Sequence, residues 1–398
     1  MARSPRYPVA SPCPACGHPE LDVFHCQDGI PTNSCLLLDT RSEAERFPRG
    51  RMEFGFCHAC GFLANIAFEE AEYSSRYEET QGFSKLFVEW AQDLAKRWVD
   101  KYDLHGKSVL EIGCGKGEFL VWMVEAGAGS GVGIDPGVHP ERIDSEVADR
   151  LTWVADFYSE EYAHLEADAV VCRHTLEHIA PVGEFMATVR KAIGDRPETI
   201  VLFELPDVAR VLDEVAFWDV YHEHCSYFSL GSLARLFRRT GFEVLHLELD
   251  YDGQYLLIEA RPSTVPAPGE PNALEDDLEA LTKGVDKYWE EYGAIKGAWR
   301  QRLADLRAKG GKAVIWGAGS KGVAYLTNLG LLDEIEYAVD INPYKTGKFM
   351  AGTGQQIVAP EFLVDYKPDL VIAMNPIYLG EIRAKLDELG LDPELVGA

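Results

Sequence analysis

The chain has 398 residues, 46% hydrophobic and 26% charged, a globular composition that excludes disordered, collagenous and disulfide-dense classes. Its 38 Lys and Arg against 65 Asp and Glu leave a formal charge of −27, a field that makes nucleic acid and anionic membrane surfaces poor partners. No apolar run approaches the roughly 20 residues that span a bilayer, and the opening MARSPRYPVASPC carries no apolar signal segment. With nine cysteines, an odd number, these features point to a reducing cytoplasm.

From the N-terminus, four of the cysteines form two pairs, Cys13-Pro-Ala-Cys16 and Cys57-His-Ala-Cys60, followed by Gly17 and Gly61 and separated by 40 residues. One such hairpin presents two thiolates, and a second completes a tetrahedron that suits Zn²⁺. Four unrelated buried thiols are the alternative; repetition of one unit within a short segment argues against it. Four protein ligands leave no open position, so this zinc would be structural. Cys26, Cys35, Cys114, Cys172 and Cys225 read as packing or loop residues.

Phe83, Leu86, Phe87, Trp90, Leu94 and Trp98 recur with helical spacing. Residues 107–260 alternate short β-branched runs with helical patterns, predicting an α/β fold with a doubly wound parallel sheet. Four prolines within Arg261–Asn272 mark a boundary. Residues 273–309 read as helix, and 311–398 restart the α/β rhythm. The predicted units are 1–70, a zinc module; 71–265, the α/β core; 266–310, a helical connector; and 311–398, a second α/β unit.

The segment VLEIGCGKGEFL reads as strand, glycine turn and helix, with Glu111 ahead of Gly113, Gly115 and Gly117. Glycines allow close backbone approach. An acid in the turn suits a cationic ligand such as S-adenosyl-L-methionine rather than a pyrophosphate. Asp135 ends the next strand, 22 residues after Gly113, where a carboxylate can accept both ribose hydroxyls. Asp156 and Phe157 follow the third strand, where an acid can take an adenine amino hydrogen. Arg173 and His174 end the fourth strand and are expected to face the methionine end of that ligand. Glu177 and His178 read as the start of the following helix.

After the fifth strand comes Asp219-Val-Tyr-His-Glu-His-Cys-Ser-Tyr-Phe-Ser229. His222 and His224 flank Glu223, with Tyr221 and Tyr227 on either side. Histidine moves protons near neutral pH, and the position faces the ligand end of the sheet. Chelation of a metal by His-x-His and a polar turn capping the helix SLGSLARLF are the alternatives. Further on, Gly317-Ala-Gly319-Ser-Lys-Gly322 follows a strand, and Asp340 ends the next. Alone this is a dinucleotide fingerprint and supplies a rival reading, an NAD-dependent oxidoreductase. Only about 90 residues remain there, half of a dinucleotide fold.

VLEIGCGKGEFL resembles the first motif of class I methyltransferases. With CPAC, CHAC, YHEHCSYFS, IWGAGSKG and DINPYKTGKFM, nearly the whole chain resembles the nucleotide-deoxysugar C-methyltransferases that act beside a 4-keto group. YEETQGFSKLF departs from the serine-rich stretch of the sugar enzymes. The resemblance implies a class I core between the zinc module and a C-terminal Rossmann-like substrate-binding domain without NAD chemistry. It implies His224 as general base, Glu223 and Tyr221 as its neighbours, and Tyr77 reaching the site. Tyr221 or His222 would hold the enolate oxygen. It also implies a small nucleotide-sugar substrate, whose diphosphate would meet Lys321, Lys345 and Lys348 at the second glycine turn; three solvated lysines are the alternative. Methylation of oxygen or nitrogen would use the same base, so it stays open at this point.

Overall fold

The computed structural model describes residues 5–69, 76–263, 270–330 and 334–398. The middle of the proline-rich boundary, 264–269, lies outside them. Among the described residues three sheets are present, and no helix is long and apolar enough to cross a membrane.

The first sheet is antiparallel and holds both cysteine pairs at one end. Its order is Tyr7–Val9, Leu21–Pro31, Arg49–Phe56, Leu63–Asn65 and then Ser226–Tyr227. Each cysteine turn has the same hydrogen bonds. Cys13 N donates to His18 O and Gly17 N to Cys13 O, as Cys57 N does to Phe62 O and Gly61 N to Cys57 O. Gly17 and Gly61 sit at φ +75° and +76°, a region that costs any side chain about 1 kcal/mol or more. The two C-x2-C-G units are therefore one structure made twice. The sheet around them was not visible in the cysteine spacing.

The central sheet runs Phe242–Asp250, Tyr255–Pro262, Ile200–Pro206, Ala169–Arg173, Ser108–Ile112, Ser130–Ile134, Leu151–Val154. Its five α/β strands are parallel; the last two in sequence form an antiparallel hairpin on one edge. Because Ser108–Ile112 sits between Ser130–Ile134 and Ala169–Arg173, the chain winds outward in both directions from it. That order opens a crevice at the carboxyl ends of these strands. Ser84 caps the helix Lys85–Lys101, accepting from Phe87 N. The helix buries Phe87, Ala91, Leu94 and Trp98 against the sheet.

The third sheet is wholly parallel, in the order Gln356–Val358, Ile335–Val339, Ala313–Trp316, Leu370–Ala373, Glu394–Gly397. It winds both ways from its first strand, and the helix Ser320–Leu329 follows the glycine turn. The long helix Leu278–Ala308 joins the sheets. Leu281, Val285, Tyr288 and Leu303 share one buried cluster with Phe24, Phe54, Leu212 and Ile315.

A buried ion triad also ties the central unit to the C-terminal one. Asp219 accepts from Arg210 and from Lys321, whose Nζ lies 2.7 Å from its carboxylate. Removing the anion would leave two cations facing each other with little water. Asp219→Ala is expected to cost about 3 kcal/mol, the low end for breaking a buried pair, because Lys321 keeps a quarter of its exposure. Urea titration followed by tryptophan fluorescence measures it; an unchanged midpoint would show that the triad contributes nothing net.

Candidate active site

The crevice is built from the carboxyl ends of the central strands. Gly113 and Gly115 have φ +70° and +54°, and the turn packs so closely that a Cβ on Gly113 would lie 1.9 Å from Thr175 Oγ1. Asp135 locks the turn. Its Oδ2 accepts from Gly115 N at 3.0 Å and its Oδ1 from Gly137 N at 2.6 Å. Glu111 is buried with one carboxylate oxygen lacking any hydrogen bond, and burial pushes its carboxyl up to about 8.

A second acid joins it. Glu79 Oε1 stands 3.1 Å from where a Cβ of Gly115 would be, its Oε2 makes no hydrogen bond, and burial raises it to about 8. The segment around it is strapped over the turn. Lys116 Nζ donates to Tyr77 O at 2.6 Å, Thr80 to Glu118 at 2.8 Å, and Arg142 to the buried Glu78 at 2.9 Å. Glu78 also accepts from Asn342 at 3.0 Å, so it links the loops beyond Asp135 and Asp340. The sequence offered YEETQGFSKLF only as a departure, and nothing local marked Glu78 or Glu79.

At the fourth strand end, Arg173 is paired with Glu204 and covers the Phe119 ring at 3.9 Å. His174, at φ +46°, stands 2.9 Å from Glu204 and 3.4 Å from Glu177. Burial opposes its charge, but the two carboxylates push it up to about 9. Both residues are therefore held by acids within the wall of the crevice. Asp156 lies on the exposed rim, accepting from Tyr162 and from Phe157 N, with the Phe157 ring open to solvent.

The structure separates three neighbours that the sequence grouped. His224 meets Tyr221 at 4.2 Å between ring centroids and His178 at 4.7 Å. Burial holds its pKa well below the ordinary histidine value, so the ring is neutral with a lone pair to offer. His222 points the other way, against Phe68 and Gly50, and neither ring nitrogen makes a hydrogen bond. That corrects its expected place beside an enolate. Glu223 turns in a third direction. Its Oε1 accepts from Ser34 N at 2.9 Å, and burial pushes it up to about 7. Tyr77 enters through its backbone, which pairs with Leu36.

Two further expectations change. Glu177 and His178 do not start the following α-helix, Val182–Ile193: they lie in a separate one-turn 3-10 helix, Leu176–His178. Glu177 is buried, and it lies with His178 and His224 in one group. The three lysines do not make a cluster of free charge. Lys321 pairs with Asp219, Lys345 lies 3.4 Å from Asp340, and Lys348 lies 2.6 Å from Asp39. In an acidic chain, lysines find carboxylates first. Away from this crevice, Cys13, Cys16, Cys57 and Cys60 converge, with Cys13–Cys60 and Cys16–Cys57 sulfurs 3.7 and 3.6 Å apart.

Residues 83–247 match the methyltransferase domain family, and residues 274–391 match the C-methyltransferase C-terminal domain family. The C-methyltransferase NovU of Streptomyces niveus is 26% identical over 388 residues, 93% of this chain and 90% of its own. Together these matches show an S-adenosylmethionine-dependent C-methyltransferase. A ribosomal protein L11 methyltransferase of Histophilus somni is 32% identical over 111 residues, 26% of this chain and 36% of its own. The solved 1,6-didemethyltoxoflavin-N1-methyltransferase of Burkholderia thailandensis is similar at a TM-score of 0.33 and 16% identity, over 51% of this chain and 96% of that one. With a C-methyltransferase shown, the rival activity, an NAD-dependent oxidoreductase, falls away.

The raised acids at the glycine turn make a solution prediction. A carboxyl raised to about 8 is largely protonated at pH 7, and a bound cation favours its ionised form. Binding of S-adenosylmethionine at pH 7 is therefore expected to release protons, and the release should fade as pH rises past 9. Calorimetry in buffers of different ionisation enthalpy reads this directly. Glu111→Gln should abolish part of it and weaken binding about 10-fold, the scale of one lost charged hydrogen bond. Pure heat of binding with no buffer dependence would contradict this placement.

Proposed function

We propose that this C-methyltransferase methylates a carbon beside the keto group of a nucleotide-linked deoxysugar, with His224 as the base. The observation that carries this is the neutral, buried His224 packed on Tyr221. A hydrogen α to a ketone is acidic enough for imidazole to remove when the enolate oxygen is held. Tyr221 is the neighbour that can donate to that oxygen. S-adenosylmethionine supplies an electrophilic methyl group when bound. Glu111 and Glu79 meet its positive charge, Asp135 its ribose and Asp156 its adenine. The third sheet reads as a Rossmann-like substrate-binding unit. Arg46 and Arg76 line a cavity of about 370 Å³ beside the loop that holds Glu223, and Arg76 is itself paired with Glu43 there at 3.0 Å. The whole-length likeness to a C-methyltransferase favours carbon over oxygen or nitrogen.

We further propose that Cys13, Cys16, Cys57 and Cys60 hold one structural Zn²⁺. Bonds of about 2.3 Å in a tetrahedron place sulfurs about 3.8 Å apart, close to the distances found here. A disulfide would need about 2.05 Å.

His224→Ala is expected to lose about 10²- to 10⁴-fold in turnover with little change in donor affinity. It should also fail to exchange the substrate α-hydrogen with deuterated water. His222→Ala should lose less, since that ring faces away. In the wild type the acid limb should fall below the ordinary histidine value of about 6.5, because burial depresses His224. Exchange at wild-type rate in His224→Ala would place the base elsewhere.

Metal analysis of reduced, unchelated protein should find about one Zn²⁺ per chain through the four cysteines. Cys57→Ser should harm folding more than donor binding, because a closed site contributes folding energy. Protein that is folded and zinc-free would remove the assignment.

A further inference from the structure

Glu177, His178 and His224 approach one another inside the crevice, with one ligand atom of each within 4.8 Å of the others. The donor set is two imidazoles and a carboxylate, which suits late first-row divalent ions and not Mg²⁺ or Ca²⁺. Three protein ligands would leave an open coordination position.

Three observations point to a ligand here. Glu177 is 2% exposed, and neither carboxylate oxygen makes a hydrogen bond; its nearest cation, His174, stands at 3.4 Å and is shared with Glu204. A buried carboxylate left so is costly and is satisfied by pairing or by a metal. His178 Nδ1 lies 3.0 Å from Glu223 O, so Nδ1 carries the proton and Nε2 the lone pair. A carbonyl partner of this kind is what fixes metal-binding histidines. His178 is also only half-buried, which opens a path for an ion. Ligand atoms around one ion at about 2.1 Å would lie about 3.4 Å apart, so closure requires small side-chain rotations only.

We propose that Glu177, His178 and His224 bind one Zn²⁺, Co²⁺ or Ni²⁺ ion, and that this ion inhibits methyl transfer by taking the His224 lone pair. The ion forms a coordinate bond to the imidazole nitrogen that would otherwise accept the substrate proton; no electron transfer is involved. The inhibitory half rests on His224 being the base, whereas the binding half stands without it.

Co²⁺ titration of the full-length protein, with its cysteine site already filled, tests the binding. One further equivalent should bind, giving visible d–d bands without sulfur charge transfer. Glu177→Gln and His178→Gln should each weaken that ion at least about 100-fold, since loss of outer-shell partners alone costs about 10- to 100-fold. His222→Gln should leave it in place. X-ray absorption on cobalt-loaded wild type should show two imidazoles, oxygen and no sulfur at the second ion, and this reading needs no variant to fold. Absence of a second ion at millimolar Co²⁺, sulfur at that ion, or retention in both variants overturns the proposal. So does loss in His222→Gln alone, which would place the ion on the other histidine. Zn²⁺ beyond the first equivalent should slow α-hydrogen exchange and methyl transfer together, and a weak chelator should reverse it. An ion bound at the triad that leaves both rates unchanged overturns the inhibitory half. Failure of His224→Ala to lose exchange in metal-free buffer would instead overturn the assignment of the base.

Discussion

Two residue pairs hold this molecule in register. Ser226 opposite Ala64 and Tyr227 opposite Leu63 add a strand from the central unit to the N-terminal sheet. The same loop, seven residues before Ser226, is pinned to the C-terminal unit through Asp219 and Lys321. His224 lies between these anchors, so its position is set by three sheets at once. Short pairing of this kind is weak by itself; it holds because Tyr227, Phe54, Val220 and Leu281 bury their apolar surface in the same cluster. The cysteine turns lie at one end of that N-terminal sheet. Whatever stabilises them stabilises the sheet edge on which the Ser226–Tyr227 strand rests.

The crevice is dominated by acids, three of them buried and Glu79 half-buried. Glu79, Glu111, Glu177 and Glu223 each keep an oxygen without a hydrogen bond, in a chain already at −27. Buried carboxylates in such numbers destabilise the empty fold through their own desolvation. Glu79 and Glu111 flank the glycine turn, where a sulfonium-bearing donor would balance them. Glu177 sits beside the two imidazoles of His178 and His224. The acidic composition is thus not only a solvated surface; part of it is turned inward as a demand for positive charge.

What was legible in the sequence was local. A strand, a glycine turn, an acid and a second acid at the next strand end occur within about one βαβ unit, and spacing alone orders them. The paired C-x2-C-G turns were legible for the same reason. Alternation of side chains hid the rest. His222 and His224 are two residues apart and were grouped by type, yet the irregular backbone before Ser226 sends them to opposite sides. Glu177 looked like a helix-start acid because helices often begin with one; only the fold shows that the turn at Leu176–His178 faces inward. Glu78 joins Arg142 and Asn342 across distances that no window of sequence contains.

The two parallel sheets use one device with different results. In each, an aspartate at the second strand end accepts from the glycine turn with Oδ2 and from the residue two places on with Oδ1: Asp135 with Gly115 and Gly137, Asp340 with Ala318 and Asn342. Over the first turn stand Glu79 and Glu111, both anionic when ionised. Over the second stands Lys345, 3.4 Å from both Ala318 O and Asp340, while Ser320 meets Cys35 of the N-terminal sheet's loop at 3.3 Å. The same backbone therefore presents opposite charge at its two copies, acid toward a cationic donor and a lysine toward the domain interface. A shared glycine pattern fixes the turn; the charge laid over it decides what the turn can receive.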